Sequence, residues 1–180
     1  AKNYTWGYFP SVSVGWVASR EGFMKNQNVV SYLKIRGSYG NLGNERIGNY
    51  PYQSVMSFTS PAVFSGSEVI GVQGVSNYQL AIEDITWETT TTYDVGADVN
   101  FLRDRLSFNF DWYYKNTKDM LIALDIPTYM GYSAPDQNAG DMHTKGWDFN
   151  VAWNDRAGDF SYGINFNISD YKSVMGDIGD

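Results

Sequence analysis

An all-β fold, the antiparallel wall of a transmembrane β-barrel, is the class this sequence predicts, and three observations predict it. Apolar and polar residues alternate with a period of two in six separate runs. The links between those runs alternate between short and long. Aromatic residues collect toward the ends of the runs, as they do where barrel strands meet the two membrane interfaces.

The runs are taken in chain order. In the first, Val12, Val14, Trp16 and Ala18 stand against Ser11, Ser13, Gly15 and Val17. The second sets Leu33, Ile35 and Tyr39 against Lys34, Arg36, Ser38 and Gly40. In the third, Thr89, Thr91, Tyr93, Val95, Ala97, Val99 and Phe101 alternate with Thr90, Thr92, Asp94, Gly96, Asp98 and Asn100. The fourth opposes Leu106, Phe108, Phe110, Trp112 and Tyr114 to Ser107, Asn109, Asp111, Tyr113 and Lys115. The fifth sets Trp147, Phe149, Val151 and Trp153 against Gly146, Asp148, Asn150 and Ala152. The sixth sets Phe160, Tyr162, Ile164, Phe166 and Ile168 against Ser161, Gly163, Asn165 and Asn167. Successive side chains of a strand point to opposite faces, so each run has one bulky apolar face and one small or polar face.

Alternation by itself fits a soluble sandwich with its apolar face inward as well as a membrane barrel with that face outward. Length separates them. The runs reach ten or more residues, beyond the usual five or six of soluble strands and close to the 9–11 that cross a bilayer. The links agree: those at 102–105 and 154–159 are short, those at about 41–86 and 118–140 are long, and the one at 19–31 falls on the short side. Outer-membrane barrels alternate short periplasmic turns with long extracellular loops. Strands one, three and five then run inward and two, four and six outward, with another long loop expected from Asp170 onward. Apolar islands at Val55 to Phe58 and Val69 to Val72 predict that the first long loop is folded.

Composition sets the bounds. Aromatics make up 17% of the 180 residues and charged residues only 18%, against a usual charged share of about 25%. No stretch approaches the length of a transmembrane helix. With no cysteine, disulfides and thiol chemistry are excluded, and a net charge of −7 argues against a nucleic-acid partner. No signal peptide is visible at Ala1 to Trp6, so the targeting segment of an exported protein would have been removed or would lie upstream.

Several motifs resemble one family in their order and wording. They are Phe9-Pro10-Ser11-Val12-Ser13-Val14-Gly15-Trp16, the run from Leu33 to Asn44, and Thr92-Tyr93-Asp94-Val95-Gly96. The run from Tyr113 to Leu121, Asn138-Ala139-Gly140 and Lys145-Gly146-Trp147-Asp148-Phe149 complete the set. Together, over about residues 8 to 169, they resemble the later barrel strands of SusC/RagA-type TonB-dependent receptors of Bacteroidetes. The resemblance implies a plugged barrel of 22 strands in the outer membrane, of which residues 1–180 are a part without the plug and the remaining strands. It also implies import driven by the TonB complex, a SusD-like surface lipoprotein as partner, outer-membrane lipid around the wall, and oligosaccharide or peptide substrates.

The candidate site residues fall in two groups. Glu88, Asp94, Asp98, Asp111 and Asp148 lie on the polar side of their runs and would line the lumen. In the long loops, Tyr50, Tyr52, Gln53, Tyr129, Tyr132 and Asp136 offer rings for stacking and polar groups for hydroxyls. The alternative is that the same aromatics pack the loops onto each other or onto the lipoprotein. His143 is the only histidine, with no second ligand or nucleophile beside it, and no G-x-S-x-G occurs. These residues predict no catalytic group, metal site or cofactor. Two other readings remain at this stage: a complete small barrel of about eight strands, and a soluble carbohydrate-binding sandwich.

Overall fold

The computed structural model describes residues 6–45, 56–65, 69–77, 85–123, 125–127, 129, 131 and 133–178. Among these residues eight strands form: β1 (Ser11–Trp16), β2 (Val30–Asn44), β3 (Met56–Ser65), β4 (Val69–Asn77), β5 (Glu88–Phe101), β6 (Leu106–Ala123), β7 (Asp136–Ala157) and β8 (Phe160–Ile178). Six of them make one antiparallel sheet in the order β1-β2-β5-β6-β7-β8, and β3 and β4 pair separately as a hairpin. All six alternating runs are thus neighbours in the sheet, in chain order, as a meandering barrel wall requires. The hairpin occupies the first long link.

Cross-strand register sorts the side chains into continuous rows. One row reads Leu33, Val99, Phe108, Val151 and Phe166, and the next reads Ile35, Ala97, Phe110, Phe149 and Ile168. A third adds Val95, Trp112 and Trp147. Aromatic rings meet along these rows: Phe108 lies 5.6 Å from Phe101 and 6.1 Å from Phe149, centroid to centroid. The opposite face carries serine, threonine, asparagine, aspartate and glycine. Register is therefore held by the pattern itself, because a one-residue slip of any strand would carry its apolar set to the polar side.

No second layer packs over either face among the described residues. Among the described residues only Ala18 and Ile85 are buried apolar side chains, while Phe166 is 60% and Ile164 69% exposed. A sheet this wide with no packed core has left its apolar face for another medium.

The strands outrun the alternation. β6 continues to Ala123 and β7 begins at Asp136, so the second long link shrinks from 118–140 to 124–135. β8 likewise runs on to Ile178, where the sequence predicts a loop from Asp170. The physical reason is that a hydrogen-bonded ladder needs no alternation: β6 ends on the unbroken run Met120-Leu121-Ile122-Ala123 and β8 mixes Val174 and Met175 with polar residues, so the period of two is lost while the pairing continues. A bulge interrupts the ladder between Thr117 and Met120, where Asp119 takes φ 56°. At the other end of the chain, β1 stops at Trp16, and Ala18 turns into a 3-10 turn where it is buried.

The tight β5–β6 turn stores strain. Leu102, Arg103 and Asp104 have φ of 55°, 60° and 65°, in the left-handed region that costs an L residue about 1–2 kcal/mol. The turn is held by Leu102 N–H donating to Val29 O (3.2 Å) and Asn100 Nδ2 donating to Asp104 Oδ1 (3.0 Å). Arg103→Gly should therefore stabilise the protein by about 0.5–1 kcal/mol, after the extra backbone freedom of glycine in the unfolded chain is deducted. A higher melting temperature of the detergent-solubilised full-length protein is the expected reading, and a lower one would contradict it.

Candidate functional site on the polar face

Three of the acidic side chains singled out in the sequence converge on one arginine. Arg36 on β2, Gly96 on β5 and Asp111 on β6 occupy one row of the sheet. Strands lie about 4.8 Å apart, so Arg36 must span about 10 Å to reach Asp111, across the middle strand. It does so over Gly96, with Nη2 to Asp111 Oδ2 at 2.6 Å. A Cβ on residue 96 would meet Asp111 Oδ1 and come within 2.8 Å of Arg36 Cζ, so only glycine leaves the passage open. On the same guanidinium, Nε lies 3.5 Å from Asp98 Oδ2 and Nη1 3.8 Å from Asp94 Oδ1. Asp94 and Asp98 sit on β5 one step to either side of Gly96 on the polar face, which is why one arginine reaches both.

The cluster carries one positive and three negative groups, a formal charge of −2. Asp98 also accepts from Asn109 Nδ2 at 2.9 Å, whereas Asp111 Oδ1 is buried and without a hydrogen-bond partner. Asp148 on β7 lies directly opposite Asp111, adding a fourth carboxylate. Beside them a cavity of about 250 Å³ opens between Asn109, Asp111, Asp148, Asn150, Asn167 and Ser169. Further hydrogen bonds tie the same face together: Asn150 to Asn165 at 2.7 Å, Thr90 to Thr117 at 3.0 Å and Thr144 to Ser173 at 2.7 Å. Such a surface attracts cations and hydroxyl-rich molecules and repels anions.

A second glycine repeats the device. Gly146 on β7 lies between Tyr113 on β6 and Tyr171 on β8, and both side chains close over the space its Cβ would fill. Lys115 Nζ stands 5.0 Å from the Tyr113 ring centroid.

Of the other residues expected at a site, Glu88 is on the polar face but apart from the cluster, where it accepts from Asn44 Nδ2 at 3.3 Å. Tyr129 is 86% exposed, and Asp136 opens β7 opposite Ala123; neither joins the carboxylates. Tyr50, Tyr52, Gln53 and Tyr132 lie outside the described residues. His143 stacks on Tyr114 on the apolar side, with Nδ1 3.0 Å from the tyrosine hydroxyl and Nε2 3.1 Å from Asp141. Among the described residues no group of three or more histidine, aspartate or glutamate side chains is arranged to hold a metal ion, the aspartates around Arg36 included. The sequence reading passed over Arg36, Gly96 and Gly146. Arg36 was detectable in principle, as the one arginine on the polar side of an alternating run, facing runs rich in aspartate.

Comparison with known proteins places this geometry. Residues 1–179 match the family described as TonB dependent receptor-like, beta-barrel. The TonB-dependent receptor P3 of Formosa agariphila is 34% identical over 97% of the chain, and the TonB-dependent receptor SusC of Bacteroides thetaiotaomicron is 30% identical over 98%. The chain spans only 17–18% of the length of these relatives. Among solved structures, the RagAB peptide transporter superposes over 99% of this chain and 19% of its own, with a TM-score of 0.83 at 24% identity. The RagAB peptide importer in its open-open state gives a TM-score of 0.76 at 25% identity, over 94% of this chain and 18% of its own. An uncovered apolar face, a polar face opposite and a six-stranded antiparallel meander are what one stretch of such a barrel contributes: the chain belongs to the TonB-dependent receptor β-barrel family of outer-membrane transporters.

Proposed function

We propose that these residues form part of the wall of an energised outer-membrane importer for oligosaccharides or peptides. The observation that carries this reading is the division of the sheet into one continuous apolar face and one acidic, hydrogen-bonded face. The apolar face meets lipid, and the polar face, with Asp94, Asp98, Asp111, Asp148 and, higher up, Glu88, lines the lumen. The Arg36 cluster stiffens that wall and leaves it net negative, which suits neutral or cationic cargo and contact with basic groups of a plug. In this reading the long links face the cell exterior. Tyr50, Tyr52, Gln53, Tyr129, Tyr132 and Asp136 there contact substrate or a SusD-like lipoprotein that closes over the barrel. The TonB complex engages a part of the protein beyond this stretch. The wall itself performs no covalent chemistry. Family membership sets aside the complete small barrel and the soluble sandwich.

The test is purification of the full-length protein from outer membranes in detergent. A protein about five to six times the 20.3 kDa of this chain, with a lipoprotein in stoichiometric company, is expected. Loss of uptake of an oligosaccharide or peptide mixture on deletion, restored by the intact gene but not in a TonB-deficient strain, completes it. A protein recovered from the soluble fraction, or uptake indifferent to TonB, would overturn the proposal.

A further inference from the structure

On the apolar side, one row carries Tyr39, Tyr93 and Tyr114 on β2, β5 and β6, followed by Lys145 and Lys172 on β7 and β8. The tyrosines lean on one another, with ring centroids 5.1 and 6.4 Å apart, and Tyr114 stacks on His143 at 6.2 Å. The row stands one step above the facing Trp112 and Trp147, toward the end of the sheet from which the longer links leave. Counting along β7 from Trp153 to Lys145 gives about 27 Å of strand, or about 20 Å of height at a 40° tilt. The apolar band of such barrels is about 25 Å tall and is bordered by aromatic girdles, so this row lies where hydrocarbon gives way to headgroups.

The two lysines are directly opposite each other, where like charges repel. Both are exposed, and among the described residues neither forms an ion pair. No carboxylate among the described residues comes within 4.0 Å of either ammonium group. Asp170 lies one row deeper, opposite Trp147, and Asp141 is engaged 3.1 Å from His143 Nε2. Between the lysines, Asp170, Trp112 and Trp147 is a notch of about 180 Å³. Two outward ammonium groups on flexible stems, above a tryptophan pair, call for an anion supplied by the membrane.

We propose that Lys145 and Lys172 bind the phosphate of an anionic lipid in the leaflet on the long-link side, with Trp112 and Trp147 packed against its acyl chains. The site rests on the outer-membrane reading above, and it is independent of the cargo. Lipid retention by the full-length transporter is the measurement, in bilayers of phosphatidylcholine containing either diphosphoryl lipid A or the same lipid with its phosphates removed. Wild type should retain the phosphorylated form preferentially. Lys145→Gln with Lys172→Gln should weaken retention roughly 30-fold, and Lys172→Gln alone roughly 5-fold, from about 1 kcal/mol per lysine at an anionic surface. Lys145→Arg with Lys172→Arg should retain it. Heat-modifiable migration on gels reports that each variant is a folded barrel, with the single variant read if the double does not assemble. Equal retention of the two lipids by wild type, undiminished binding by the glutamine variants, or displacement by inorganic phosphate alone would overturn the proposal. A wild-type protein absent from outer membranes would overturn the outer-membrane reading itself.

Discussion

Phe149→Arg should remove most of the folded protein from the outer membrane, while Asn150→Arg, one residue along the same strand, should leave it assembled. Phe149 lies in the middle row of the apolar face, between Phe110 and Ile168. An arginine facing lipid near the bilayer midplane costs a barrel about 2–4 kcal/mol, a large part of the stability of an ordinary domain. Asn150 points the other way, hydrogen-bonded to Asn165 and lining the cavity beside Asp111 and Asp148, where a new cation finds carboxylates. The heat-modifiable fraction in outer-membrane preparations measures both variants. If Asn150→Arg abolished assembly and Phe149→Arg did not, the faces would be reversed.

The second large effect is at the arginine cluster. Arg36→Met keeps the bulk of the side chain but leaves Asp94, Asp98 and Asp111 facing one another without their cation. Hydrogen bonds to charged groups contribute about 1.5–3 kcal/mol, but Arg36 is 34% exposed in this structure, so screening reduces the expected loss to about 1–2 kcal/mol. Gly96→Val should bring a loss of similar size by a steric route, because a side chain there would collide with the Asp111 carboxyl and the Arg36 side chain whether or not the two are paired. The two routes are separable. In an Asp111→Asn background, Arg36→Met should cost less than it does alone, whereas the Gly96→Val penalty persists as a steric one. Unfolding temperatures in matched detergent at low and high salt give the comparison, and added salt should narrow the gap for Arg36→Met but not for Gly96→Val. Two penalties that respond alike would contradict the bridge.

The architecture was legible in the sequence because both faces of each strand are written in a period of two. The string from Thr89 to Tyr114, broken only by Leu102–Arg105, is enough to give a hairpin, its register and its two faces. The upper parts of the strands were not legible, because above the apolar band polar and apolar residues of β7 and β8 no longer alternate and only the backbone ladder continues. The hairpin of β3 and β4 registered as apolar islands without a strand assignment. At the site, the acids could be named but their meeting point could not. That depends on the alignment of Arg36, Gly96 and Asp111 across three strands, two of them separated in sequence by the link that holds the hairpin. A glycine read from sequence is only a small residue, while in the sheet Gly96 and Gly146 are the openings that let their neighbours' side chains cross. The loop residues offered for ligand contact carry no period at all, and four of the six fall outside the described residues.

Because this stretch contains no cysteine, single cysteines can be placed through it one at a time and spin-labelled in the full-length protein in bilayers, against any native thiols removed elsewhere. Scanning Phe108 to Tyr113 and Trp147 to Ala152 tests the central claim most directly. Collision with oxygen, which concentrates in lipid, should rise at Phe108, Phe110, Trp112, Trp147, Phe149 and Val151. Collision with a water-soluble nickel chelate should rise instead at the residues between them. Labels on the apolar side that see neither reagent would show that face buried in protein, and would contradict a lipid-facing barrel wall.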